Sequence, residues 1–281
     1  MRPAVTVLLL SALATTWSGC HGLQLSQPAL PLPAVRPMPE ELLKFHCDFA
    51  LPKDHRLVRE LTAERDDVYQ TLGLPHSEET VHVYLYSDEA KYREFLAREY
   101  PSVPQRRAFF VETDTQLKVY AHWSDRVGED LRHEVCHGYL HAVVPAIPLW
   151  LDEGIAEYFE VPRGHGGLNQ PHVDLLADMM EHNHWQPNLP KLEAIKSAAD
   201  MDQADYAESW AWVYFLLHSP PERRELLTTY LGEIHDKGGV GPLSARLPSQ
   251  NIQPQRTLAE YLAAIHTDQV ASRAQPVTSI H

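Results

Sequence analysis

The chain of 281 residues is 44% hydrophobic and 22% charged, which supplies enough apolar material for a real core and excludes a disordered or collagen-like chain. Its 24 Lys and Arg against 38 Asp and Glu give a net charge of −14. With no basic run of five or more residues, that balance repels phosphate backbones and excludes nucleic acid as a partner. At about 150 residues per unit, the length fits two small domains or one domain whose two lobes enclose a cleft, and the pattern below favours the second.

Arg2 followed by the apolar run from Val5 to Ala14 has the charged start and short hydrophobic stretch of a secretory signal, too short to span a bilayer. It ends in Trp17-Ser18-Gly19-Cys20, which resembles a bacterial lipobox, with Trp17 where an aliphatic residue is usual. Residues 1–19 are therefore expected to be removed and Cys20 to be lipidated, holding the protein at a membrane of the cell envelope. The alternative is ordinary cleavage and release to the periplasm or beyond. Residues 20–40 hold Pro28, Pro31, Pro33, Pro37 and Pro39 and read as an extended tether. Cys47 and Cys136 are expected to stay unpaired, Cys136 as a small hydrophobe in a buried helix.

Order is expected from about residue 41. Apolar residues at helical spacing predict a helix over 54–73, stopped by Gly73-Leu74-Pro75. The alternation of Val81, Val83 and Leu85 with His82, Tyr84 and Tyr86 predicts a strand, after which Ser87-Asp88 caps a helix running to Tyr100. Strands are predicted over 107–112 and 116–123, then helices near 126–143, 150–160, 172–184, 206–218, 221–236 and 258–266. A mixed N-terminal half and a helical C-terminal half predict an α+β fold of two lobes, with a domain over 41–240 and an extension over 241–281.

His133-Glu134-Val135-Cys136-His137 carries the chemistry. Two histidines at i and i+4 on a helix project from one face and can converge on one zinc ion, while Glu134 leans over a bound water as general base. Chance gives such a string about 0.08 times in a chain of this composition, so a third ligand is the sharper test. Trp150-Leu151-Asp152-Glu153-Gly154-Ile155-Ala156-Glu157 supplies it: Glu153 can bind the metal, and Glu157, one turn on, can accept the free N–H of a ligand histidine.

At these residues the chain resembles the gluzincin metallopeptidases, the group containing thermolysin and aminopeptidase N, whose third ligand is a Glu on the following helix. It is still more similar to the bacterial peptidase MA-like family, with its strand-rich lobe, its HExxH and WLxEGxAEY motifs and a Tyr-x-x-x-Trp helix. The likeness covers about residues 45–235 and implies a zincin-like two-lobed fold, a Zn2+ cofactor and a peptide or protein substrate. It also implies a side chain that stabilises the oxyanion opposite the metal. Tyr206 is the candidate, with His218 and Tyr158 next, and an ordinary packing role for Tyr206 stays open. Zincins place a substrate-pairing edge just before the metal helix, which here points to the strand over 116–123.

Other residues read as structural. His141 lies ~12 Å along the helix axis from His133, too far to share its ion, and is expected at the surface or behind the ligands. Leu140 and Val143 stand where the metzincin pattern needs Gly and His. His165, His182 and His184 read as solvent-facing, and Trp210, Trp212 and Phe215 as core. The expected function is zinc-dependent peptide hydrolysis, with endopeptidase action favoured because the amine-capturing Gly-x-Met-Glu-Asn segment of the aminopeptidases is missing. The alternative is a non-catalytic zincin-like binding or assembly module of the cell envelope.

Overall fold

The computed structural model describes residues 42–101, 106–218, 220–247 and 254–274. The expected signal, the tether and Cys20 lie outside the described residues. Among the described residues four strands make one mixed sheet: β1 (Leu43–Cys47), β2 (Val81–Tyr86), β3 (Ala108–Thr113) and β4 (Gln116–His122). Their order is β1-β2-β4-β3, with β1, β2 and β4 parallel and β3 antiparallel on β4. The strand over 116–122 is thus interior, its two ladders taken by β2 and β3, and it has no edge to offer a substrate. That expectation fails; the sheet edges are β1 and β3, and β3 is the one beside β4.

One sheet face is apolar at every second residue. Val81, Val83 and Leu85 lie in register with Leu117, Val119 and Ala121, and all are buried in one core with α1 (Arg56–Leu72) and α3 (Val127–His141). The opposite face is covered by α2 (Glu89–Glu99), whose Tyr92, Phe95 and Leu96 pack on Tyr84, Tyr86, Phe109, Val111 and Tyr120. Asp88 opens α2 by accepting from the Lys91 N–H, and Gly73, at φ 66°, closes α1 in the left-handed conformation.

The second half is helical. α4 (Leu149–Phe159) follows a Pro-bounded turn and packs against both α3 and α7 (Gln203–His218). Trp210, Trp212 and Phe215 bury α7 as expected. α5 (Gln170–Glu181), α8 (Pro221–Lys237) and α9 (Pro254–Ala274) pack around it, with the short α6 (Leu189–Ala194) between. Two close approaches set the frame. A Cβ at Gly138 would meet Val81 at 2.8 Å, and one at Gly154 would meet the Ser209 carbonyl at 2.5 Å, so α3 lies tight on the sheet and α4 tight on α7.

The observed architecture is α+β. β1 and α6 were not expected, α3 ends two residues early, and the last helix is longer than 258–266. Leu243, Leu247, Leu258 and Leu262 join the main core. Cys47 and Cys136 are free. Among the described residues no helix is long and apolar enough to cross a membrane.

Candidate metal centre

His133 and His137 stand one turn apart on α3, and Glu153 faces them from the second turn of α4. Nε2 of His133 and Nε2 of His137 are 3.3 Å apart, and Oε2 of Glu153 lies 3.4 Å from the first and 3.7 Å from the second. Tetrahedral bonds of ~2.0–2.1 Å place ligand atoms about 3.3 Å from one another, so the three atoms stand at the spacing one divalent ion demands.

The orientation of the rings makes the same point chemically. Nδ1 of His137 lies 2.8 Å from Asp152 Oδ1, and Nδ1 of His133 lies 3.2 Å from Glu160 Oε2. Ionised carboxylates only accept, so each ring holds its proton on Nδ1 and aims the Nε2 lone pair at the other ring and at Glu153. Three electron-rich atoms facing one another are repulsive unless a cation sits among them. A proton on Nε2 is one such cation: burial disfavours charge on His137, but Asp152 and Glu153 outweigh it and push the ring up to about 10. Burial likewise opposes ionisation of Glu153, and hydrogen bonds from the two imidazoles overcome it, bringing the carboxyl down to about 2.

Glu134 is buried beside this centre, and burial raises its carboxyl against the opposing pull of His133 and His137. His133, Glu134 and Tyr206 line a cleft of about 1010 Å³, whose walls also carry Arg106, Ala108, Glu157, Glu160 and His172. The Tyr206 hydroxyl is pushed up to about 12, first by burial and then by the Glu153 charge, while the Arg106 charge opposes the rise.

One expectation needs correction. Glu157 does not serve a ligand histidine; its Oε2 accepts from His172 of α5 at 2.8 Å. The carboxylates behind the ligands are Asp152 and Glu160, and Asn169 fixes Glu160 through a 2.9 Å bond. His141 takes the second of its two expected places, behind the ligands. It is buried, with Nε2 3.0 Å from Asp152 Oδ2 and Nδ1 2.7 Å from Glu112 Oε2 on β3. Of the other oxyanion candidates, Tyr158 and His218 bond each other at 3.0 Å and neither lines the cleft. His165, His182 and His184 are exposed as expected.

Asp152 was within reach of the sequence, since it adjoins Glu153. Glu160, Asn169, His172, Glu112 and Arg106 carried no local signal; the tertiary fold alone brings them in. No protein-family model matches the chain, and no curated protein matches it.

Proposed function

We propose that the protein is a zinc-dependent metallopeptidase of gluzincin type, cutting peptide bonds in a cleft between the two lobes of a zincin-like fold, with endopeptidase action favoured. One observation carries the reading: three ligand atoms at tetrahedral spacing converge beside a buried glutamate, and that glutamate and one of the ligands, His133, line an open cleft. Two imidazoles and one carboxylate suit zinc, whereas magnesium and calcium call for six or more oxygen ligands. Zinc held by His133, His137 and Glu153 would supply a Lewis acid that acidifies water and polarises the scissile carbonyl.

The chain's own groups do the rest. Glu134 takes the proton of the attacking water and passes it to the leaving amine. A carboxyl raised by burial suits both halves of that task, since the base must later act as an acid. Tyr206 donates a hydrogen bond from its hydroxyl to the oxyanion. Asp152 and Glu160 hold the two rings so that both lone pairs stay aimed at one point. The edge strand β3, which begins at the cleft wall, offers its outer ladder groups to an extended peptide. Export, with lipid anchorage on Cys20, completes the proposal.

Metal analysis of protein lacking the export signal, beside Glu134→Gln, tests the reading. The expected result is one zinc per chain in both forms and loss of peptide hydrolysis by at least ~10²-fold in the variant. Equal turnover by the two forms, or no bound metal after zinc is added, overturns it.

A further inference from the structure

Four arginines line the cleft, and three of them are spoken for. Arg107 grips Asp130 through Nε at 2.9 Å and Nη2 at 2.6 Å, Arg126 pairs with Glu129, and the buried Arg132 holds Glu60 at 3.1 Å and donates to the Glu160 carbonyl. Arg106 differs. Among the described residues it has no carboxylate partner, and the Ser-Val-Pro-Gln that precedes it in the sequence holds no acid. Arg106 shares the cleft lining with Tyr206 and Glu134, and its charge is felt by both. It stands two residues before the start of β3, beside the path of any peptide paired along that edge.

A planar guanidinium with most of its donors unused recognises a carboxylate bidentately. The wall around it is otherwise acidic or neutralised, so a free cation here is a feature with a chemical meaning. We infer that Arg106, seated against Tyr206, forms a carboxylate-binding subsite, so that the cleft selects peptides carrying a carboxylate close to the scissile bond. Two sources fit that chemistry, a free C-terminus and an Asp or Glu side chain. The inference rests on the peptidase reading of the same cleft and adds the substrate class to it.

The test uses peptide twins that differ only in the carboxylate: free acid against C-terminal amide, and Asp or Glu against Asn or Gln at each position near the cut. In the wild-type zinc protein kcat/KM is expected to favour the carboxylate twin on the order of tenfold or more, chiefly through KM. In Arg106→Gln that ratio falls close to one, and Arg106→Lys restores part of it. Whichever pair shows the preference identifies the source. Binding of the same twins to zinc-loaded Glu134→Gln, measured by calorimetry, reads the subsite without turnover. If wild-type protein cleaves nothing, the peptidase reading fails, and the binding comparison still decides the subsite. Twins bound equally by this protein, or a preference that survives Arg106→Gln, overturn the inference.

Discussion

His141 has both ring nitrogens on carboxylate oxygens, Nδ1 on Glu112 and Nε2 on Asp152. Neither acceptor can donate, so both nitrogens carry protons and the ring is an imidazolium; burial opposes this, but Asp152 and Glu112 outweigh it and push the ring up to about 9. Asp152 therefore stands between two histidines, one oxygen holding His137 and the other held by His141. Removing His141 frees one side of the carboxylate that orients a metal ligand. His141→Gln is expected to weaken zinc binding by about 10-fold or more, measured by competition with a chromophoric chelator; unchanged affinity would show that Asp152 needs no support. Glu64 is a different case at the same scale. It is 2% exposed, and neither carboxylate oxygen has a hydrogen-bond partner. Burial pushes its pKa well above the ordinary carboxylate range against the pull of Arg132, so the folded protein keeps it protonated. The unfolded chain releases that proton above the usual glutamate pKa of about 4.3. Stability from this residue is thus full at lower pH and is lost as pH rises toward the folded value. Glu64→Gln keeps the shape without the penalty, so its melting temperature should exceed that of the parent at pH 8 and equal it at pH 4. Equal values at both would mean that the carboxyl has a charge partner when folded.

Between elements, the contact that places Glu153 is the crossing of α4 on α7, where Gly154 lies against the Ser209 backbone. No flexible side chain can yield there, so Gly154→Ala is expected to cost about 1–3 kcal/mol and, by tilting the preceding residue, Glu153, to weaken metal binding as well. Urea unfolding of the apo protein reads the first effect and chelator competition the second. A stability loss with unchanged affinity would separate the crossing from the site. Elements whose side chains repeat along the chain were legible in advance: β2 alternates, α1 and α7 carry apolar faces, and one-turn spacing marks His133 and His137. β1 hid behind the tether because Lys44 and His46 break the apolar signal of a five-residue strand. β3 and β4 were legible as strands, but not which of them faces β2, since that depends on partners 36 residues away. Glu157 failed for the same physical reason. Helical spacing puts it on the face of Glu153, but only packing decides that α5 brings His172 to meet it while Glu160 reaches His133.

Across the whole molecule, the candidate centre joins two structural halves. His133 and His137 belong to α3, which rests on the sheet, whereas Glu153 belongs to α4, which rests on α7. A cation held by all three cross-links these parts in the folded state and has no such set of ligands in the unfolded chain. Binding then adds stability by mass action, about 2.7 kcal/mol at a free metal concentration 100 times the dissociation constant. For a domain of ~150–250 residues each kcal/mol moves the melting temperature by about 2–4 °C, so zinc should raise it by roughly 5–10 °C over protein treated with a chelator. Glu153→Gln keeps the size of the side chain and removes the charge that reaches across from α4. In that variant the zinc-dependent shift should shrink to a small fraction of the parent's. The shift between metal-loaded and metal-free protein is the quantity that counts, because it cancels whatever the substitution does to the apo fold. A parent whose melting temperature ignores zinc, or a variant with the full shift, would mean that the ion does not bridge α3 and α4.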